Sequence, residues 1–215
     1  LKLGQKPELV CLEHPEAVTA IHRQYVEAGS RILYANTFSA NRLKLEGTGH
    51  SVEEVVTVAI GCAKDACRGT NAKVALDIGP TGKLLKPYGD LDFEDAVAVF
   101  AQTVRLGVKY GVDLIFIETM NDSYETKAAL LAAKENSNLP VFVSNAYGAD
   151  GKLMTGADPA AMVALLEGMG ADAIGVNCSL GPKALAPVVE QYLTYASVPV
   201  LLKPNAGLPR ASAGE

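Results

Sequence analysis

The sequence predicts an α/β fold, a (β/α)8 barrel lacking its first strand and its last βα unit. Strand-like and helix-like patterns alternate along the 215 residues. The strands are continuous apolar runs, which implies burial on both faces under covering helices, as in parallel sheets. Each strand turns polar at its C-terminal end, where such folds keep their chemistry. One helix, five βα units and a last strand make six strands. A doubly wound sheet could also use six, but no G-x-G-x-x-G turn joins a first strand to its helix, which disfavours a dinucleotide-binding sheet. A complete barrel needs eight strands and typically about 250 residues. Without those two pieces it would have about this length and would start on a helix.

The elements follow in order. Glu16 to Ala28 reads as a helix, and Arg31 to Thr37 as a strand. Val52 to Arg68 is a helix opened by Ser51, with Glu54 placed to complete a capping box. Ala72 to Ile78 is a strand, and Phe93 to Tyr110 a helix with Asp92 as its cap. Val112 to Thr119 is a strand, followed by a helix from Ser123 to Lys134 behind Asn121 and Asp122. Pro140 to Ala146 is a strand. Pro159 to Met169 is a helix capped by Asp158, with proline suited to its first turn. Ala171 to Cys178 is a strand, Lys183 to Tyr195 a helix and Val198 to Lys203 the last strand. Gly29, Gly111 and Gly170 sit where left-handed helix stops belong. Nothing resembling a linker divides residues 1–215, which read as a single domain incomplete at both ends.

Composition excludes several classes. Hydrophobic residues make up 49% and charged residues 20%, enough apolar material for a core. A net charge of -5 without any basic run argues against a nucleic-acid partner. No apolar stretch approaches the roughly 20 residues that span a bilayer, so no membrane partner is expected. Leu1 to Pro7 lacks the apolar core of a signal peptide. The absence of an initial methionine and the tail Ala211 to Glu215 suggest a piece of something longer. Cys11, Cys62, Cys67 and Cys178 are scattered, which fits a reducing cytoplasm better than a disulfide framework. Cys62 and Cys67 point away from each other on their helix. His14, His22 and His50 read as ordinary surface or loop residues. Gly79-Pro80-Thr81-Gly82 lacks the lysine and serine of a P-loop and reads as a tight βα turn.

The strand ends carry the functional signal. They read Asn36-Thr37, Asp77 before Gly79-Pro80, Glu118-Thr119, Ser144-Asn145, Asn177-Cys178, and Lys203 with Asn205. In a barrel these converge on one mouth. Polar residues where strands meet solvent would explain one or two ends. Glu118 is harder to explain so, because it follows the apolar Ile115-Phe116-Ile117 and wants a cationic or hydrogen-bond-donating partner. A substrate ammonium would be one. Cys178 could equally be a small buried apolar residue, and no histidine stands at a strand tip to activate it or share a metal. The residues themselves define a pocket with a thiol, a carboxylate and several amides, but no reaction.

Five stretches carry a resemblance. They are Ala35 to Arg42, Asp77 to Gly82, Phe116 to Met120, Gly175-Val-Asn-Cys-Ser-Leu-Gly-Pro182, and Leu202-Lys-Pro-Asn-Ala-Gly-Leu-Pro209. In this order, across nearly the whole chain, they resemble the homocysteine S-methyltransferase domain, most closely the N-terminal domain of cobalamin-dependent methionine synthases. The resemblance implies a TIM barrel that binds zinc and L-homocysteine at its C-terminal mouth. It implies Cys178 as a zinc ligand and Asn205 as a residue that completes the zinc shell when homocysteine is away. It implies Glu118 as the holder of the amino-acid end. Thr119, Asn36, Ser144 and Asn177 join it as expected substrate contacts, since they stand on the same tips. Zinc would deprotonate and orient the homocysteine thiol, whose sulfur then accepts a methyl group to give methionine.

Within that resemblance the methyl donor is methylcobalamin carried on another domain and recharged by a folate-binding domain. Relatives use betaine or S-methylmethionine directly. The family's tandem cysteine pair and its first-strand Asp-Gly motif are missing from the 215 residues, so the isolated chain is expected to bind zinc poorly and to be inactive. A metal-free relative that only binds a partner is the alternative reading.

Overall fold

The computed structural model describes residues 5–207; residues 1–4 and 208–215, with the end of the Leu202 to Pro209 stretch and the tail, lie outside the described residues. Six strands form one sheet: β1 Ile32–Tyr34, β2 Lys73–Ile78, β3 Leu114–Met120, β4 Val141–Asn145, β5 Ala173–Asn177 and β6 Val200–Lys203. Their order in space is β1-β2-β3-β4-β5-β6, and every neighbouring pair is parallel. A doubly wound sheet reverses its strand order at a switch point. This sheet never reverses, so it is part of a barrel wall. It also curls, because Lys203 on β6 brings its Nζ within 4.0 Å of the centre of the Tyr34 ring on β1.

The helices are α1 Val10–Glu13, α2 Pro15–Glu27, α3 Arg42–Leu45, α4 Val52–Cys67, α5 Phe93–Lys109, α6 Ser123–Asn136, α7 Pro159–Gly168 and α8 Pro182–Tyr195. The apolar residues on the outer face of the sheet pack under them; Leu76, Ile115, Ile117, Val143, Ile174 and Val176 are all buried. Alanines at 128, 129, 132 and 133 keep α6 slim, so it lies close to β3 and α5. Gly29, Gly111 and Gly170 have φ of 101°, 74° and 78°, as expected for helix stops. No helix among the described residues is long and apolar enough to cross a membrane.

Several local expectations needed correction. The first strand is three residues, because Thr37 turns back to donate its N–H to the Ala35 carbonyl. The helices α1 and α3 have four residues each, too few for a helical period to show in the sequence. Asp92 makes no capping bond; its carboxylate is held 2.9 Å from Lys86 Nζ instead. Ser51 does cap α4, accepting from the Glu54 N–H at 3.1 Å, but the Glu54 carboxylate meets His50 Nδ1 and leaves the box half closed. Ser51→Ala should therefore cost about 1 kcal/mol. A thermal melt should fall by roughly 2–4 °C, and an unchanged midpoint would mean the cap is redundant.

Candidate functional site

The barrel interior is built in two tiers. The lower tier is apolar: Ala75, Leu114 and Phe116 are buried together against Tyr34, Phe142 and Leu201. Phe116 stacks on Tyr34 with ring centres 4.6 Å apart and meets Phe142 edge-on at 6.3 Å. Two residues further along each strand, on the same face, stand Asp77, Glu118, Ser144 and Lys203. Asn177 joins them from β5, so the polar tier caps an apolar floor at the C-terminal mouth.

Asn177 is the hub of this tier. Its Oδ1 accepts from Ser144 Oγ at 2.7 Å and from the Thr119 N–H at 2.9 Å. Its Nδ2 donates to Thr119 Oγ1 at 2.7 Å and lies 3.5 Å from Glu118 Oε2. Thr119 can offer both groups to one side chain because its φ is 60°, where the pairing of β3 with β4 slips. A β-branched residue in that region is a local outlier, held by what surrounds it.

Glu118 has a partner inside the protein. Lys203 Nζ donates to its Oε2 at 2.6 Å and also hangs over the rings of Tyr34 and Phe116, at 4.0 and 5.1 Å from their centres. Asp77 stands nearby, 7% exposed, with Oδ1 making no hydrogen bond. Burial, and then the negative charge of Glu118, push its carboxyl well above the usual carboxylate range. The same two causes raise the Tyr34 hydroxyl.

Cys178 follows Asn177 directly and is half-buried. It and Ser179 have φ of 61° and 52°, so the chain turns sharply at the end of β5. The turn is pinned by the Cys178 N–H to the Lys203 carbonyl at 3.0 Å and by Ser179 Oγ to the Tyr147 carbonyl at 2.6 Å. Asn205 docks beside it, donating its N–H to the Leu180 carbonyl at 3.0 Å.

Of the residues expected at the site, Glu118, Thr119, Ser144 and Asn177 form one hydrogen-bonded group, with Cys178 and Asn205 on the adjoining loops. Asn36 is placed elsewhere: its Nδ2 donates to the Pro7 carbonyl at 2.8 Å and to Cys11 Sγ at 3.3 Å, tying down the N-terminal segment. Asp77 and Lys203 stood on strand tips in the sequence without a role. The signal that could have found them was the unmatched charge of Glu118. Cys11 and Cys62 pack with Val18 and Ala59, and burial pushes the Cys11 thiol up to about 11, so it stays protonated. His14 and His50 are exposed, whereas His22 is half-buried with Nε2 unpartnered, and burial lowers its pKa. Among the described residues no three histidine, cysteine, aspartate or glutamate side chains converge as a metal site.

The fold has close structural relatives. The metallated form of the homocysteine methyltransferase MmuM from Escherichia coli superposes with a TM-score of 0.85, covering 96% of this chain and 78% of that one at 20% identity. Its apo form gives 0.76, covering 95% and 77% at the same identity. In sequence, the chain is 26% identical over 214 residues to a methionine synthase of Mycobacterium leprae, covering 94% of this chain but only 18% of that protein. The family model for homocysteine S-methyltransferase matches residues 3–215. With that match across the chain, and a barrel wall whose strand tips converge on one mouth, the protein belongs to the homocysteine S-methyltransferase family.

Proposed function

We propose that the chain is the homocysteine-binding part of a methyltransferase in which the homocysteine sulfur accepts a methyl group to give methionine. The observation that carries this is the joining of Glu118 to the Cys178 turn through Asn177, with only 3.5 Å between Asn177 Nδ2 and Glu118 Oε2. A carboxylate for an ammonium and a thiol-bearing turn for a sulfur thus lie within reach of one small amino acid. Glu118 holds the ammonium end. Ser144 and Thr119 keep Asn177 in place, and the aromatic floor excludes water beneath the substrate.

A homocysteine thiol is mostly protonated at neutral pH, so it needs activation, which zinc supplies when bound. Zinc sites take three or more protein ligands. The described residues offer Cys178 and the Asn205 amide, and by themselves do not complete such a shell. The remaining ligands in this reading come from outside them. The same holds for the barrel wall. A groove of ≈ 370 Å³ lined by Ile21, Tyr25, Ile32, Tyr34 and Lys203 runs beside β1. Ile21, Tyr25 and Ile32 are exposed there, and Leu193, Tyr195 and Leu202 are exposed near β6. We read these apolar margins as the seats of further barrel elements of the same protein, so that residues 1–215 are one incomplete barrel domain. Methylcobalamin on another domain, recharged by a folate-binding domain, is the donor that the methionine synthase relative favours. Cytoplasmic location fits the four free cysteines.

The test is calorimetric titration of L-homocysteine into the full-length protein, with and without zinc, beside Cys178→Ala and Glu118→Gln. Binding should require zinc and Cys178. Glu118→Gln should weaken homocysteine roughly ten-fold while zinc stays bound. Binding indifferent to Cys178 would reject the assignment.

A further inference from the structure

Glu118 and Lys203 face each other across the barrel mouth, and the balance of charge there is uneven. Two carboxylates, Asp77 and Glu118, share one ammonium, Lys203. That ammonium touches only Glu118 as a hydrogen-bonding carboxylate, at 2.6 Å. Asp77 Oδ1 is buried on the interior face with no donor at all. An unpaired carboxylate oxygen in such a place costs free energy unless something cationic arrives. Burial, and then the negative charge of Glu118, hold the Asp77 carboxyl well above the usual carboxylate range. Lys203 is differently placed. Its side chain keeps 43% of its surface exposed against 13% for Glu118, and its stem comes from the last strand of the sheet. An ammonium carries three donors. Lys203 spends one on Glu118 and turns the others toward ring faces and solvent, so it can swing and still bind an anion.

We propose that the Glu118–Lys203 ion pair is the receptor for both charges of the substrate's amino-acid head: the pair opens, Glu118 and the free oxygen of Asp77 take the ammonium, and Lys203 takes the carboxylate. This deepens the reading given above and rests on it. It assigns Lys203 and Asp77 to binding. The amino-acid head brings one charge of each sign, so the net charge of the mouth does not change while Asp77 gains a hydrogen-bonding cation. The rings of Tyr34 and Phe116 hold Lys203 at the mouth while it exchanges partners, since a cation over an aromatic face is attracted without fixed geometry.

The experiment uses the full-length, zinc-loaded protein and three thiol probes: L-homocysteine, its decarboxylated analogue and its deaminated analogue. Lys203→Met should weaken L-homocysteine roughly ten- to a hundred-fold, as expected for loss of a charged hydrogen bond. It should leave the decarboxylated analogue unchanged. Lys203→Arg should restore most of the loss. Asp77→Asn should weaken L-homocysteine and the decarboxylated analogue together and spare the deaminated one. Equal effects of Lys203→Met on L-homocysteine and its decarboxylated analogue would overturn the proposal, and so would no effect on either. Tighter binding of both would also overturn it, making Lys203 a plug that substrate displaces. A wild-type protein that ignores L-homocysteine but binds L-methionine with the same dependence on Lys203 would sink the substrate and keep the receptor. Binding of neither amino acid overturns both.

Discussion

Gly175→Ala will separate β6 from β5. A Cβ at this position would overlap the Leu201 carbonyl oxygen outright and lie 2.7 Å from both the carbonyl carbon and the amide nitrogen of Leu201. These are backbone atoms of the paired strand, so no rotamer change can relieve the clash. Either the two strands move apart or the ladder from Ile174–Val200 to Asn177–Lys203 slips. Overpacking that forces backbone shifts costs about 3 kcal/mol or more. For a chain of this size that is a fall of roughly 6–12 °C in melting temperature. The functional effect should exceed the loss of stability, because the strand that moves carries Lys203 away from Glu118. Hydrogen exchange at the Ile174 and Cys178 amides, which donate to the Pro199 and Lys203 carbonyls, would rise first. Gly61→Ala is the control. Nothing lies within 4 Å of its added carbon, and alanine favours the interior of α4. Gly175→Ala melting with the wild type would show that β6 docks more loosely than described.

Asn177→Ala should cost about 2–4 kcal/mol, with an outsized loss of substrate affinity. Removing the amide strands the Ser144 hydroxyl, the Thr119 N–H and the Thr119 hydroxyl, of which Ser144 is 1% exposed. Leaving a buried polar group unpaired costs more than the bond it made was worth. The left-handed backbone of Thr119 would lose its main restraint, and Glu118, its neighbour in the chain, would lose its aim. Asn177→Asp makes the second arm of the measurement. It keeps the acceptor for Ser144 and the Thr119 N–H but sets a negative charge beside Glu118. Urea unfolding should rank wild type above Asp and Asp above Ala, while homocysteine affinity falls in both. An alanine variant of wild-type stability would demote Asn177 to a bystander.

The fold was legible because its central strands are buried on both faces. Runs such as Val74-Ala-Leu-Asp-Ile78 and Leu114-Ile-Phe-Ile117 announce themselves without any partner, and the glycine stops mark the helix ends. The choice between a wall of a barrel and a doubly wound sheet was not legible from strand count, since strand order is a property of space and not of the chain. At the site, the tips were visible but their pairings were not. Glu118 and Lys203 are 85 residues apart, and nothing local says that one answers the other. The need for a cation was readable in the apolar run before Glu118; the identity of that cation required the curl of the sheet. Asn36 shows the opposite failure. It stands on a tip with the right chemistry, yet the N-terminal segment offered the Pro7 carbonyl and claimed its amide.

Because spatial order repeats chain order, the sheet can be laid down in the direction of synthesis, each strand docking on one already made. Glu118 and Asp77 then emerge long before Lys203. The nascent chain holds two acidic strand tips on an aromatic floor with no counter-charge until β6 arrives. Lys203 is thus the last of the described strand-tip charges to reach the mouth, and only its arrival completes the ion pair with Glu118.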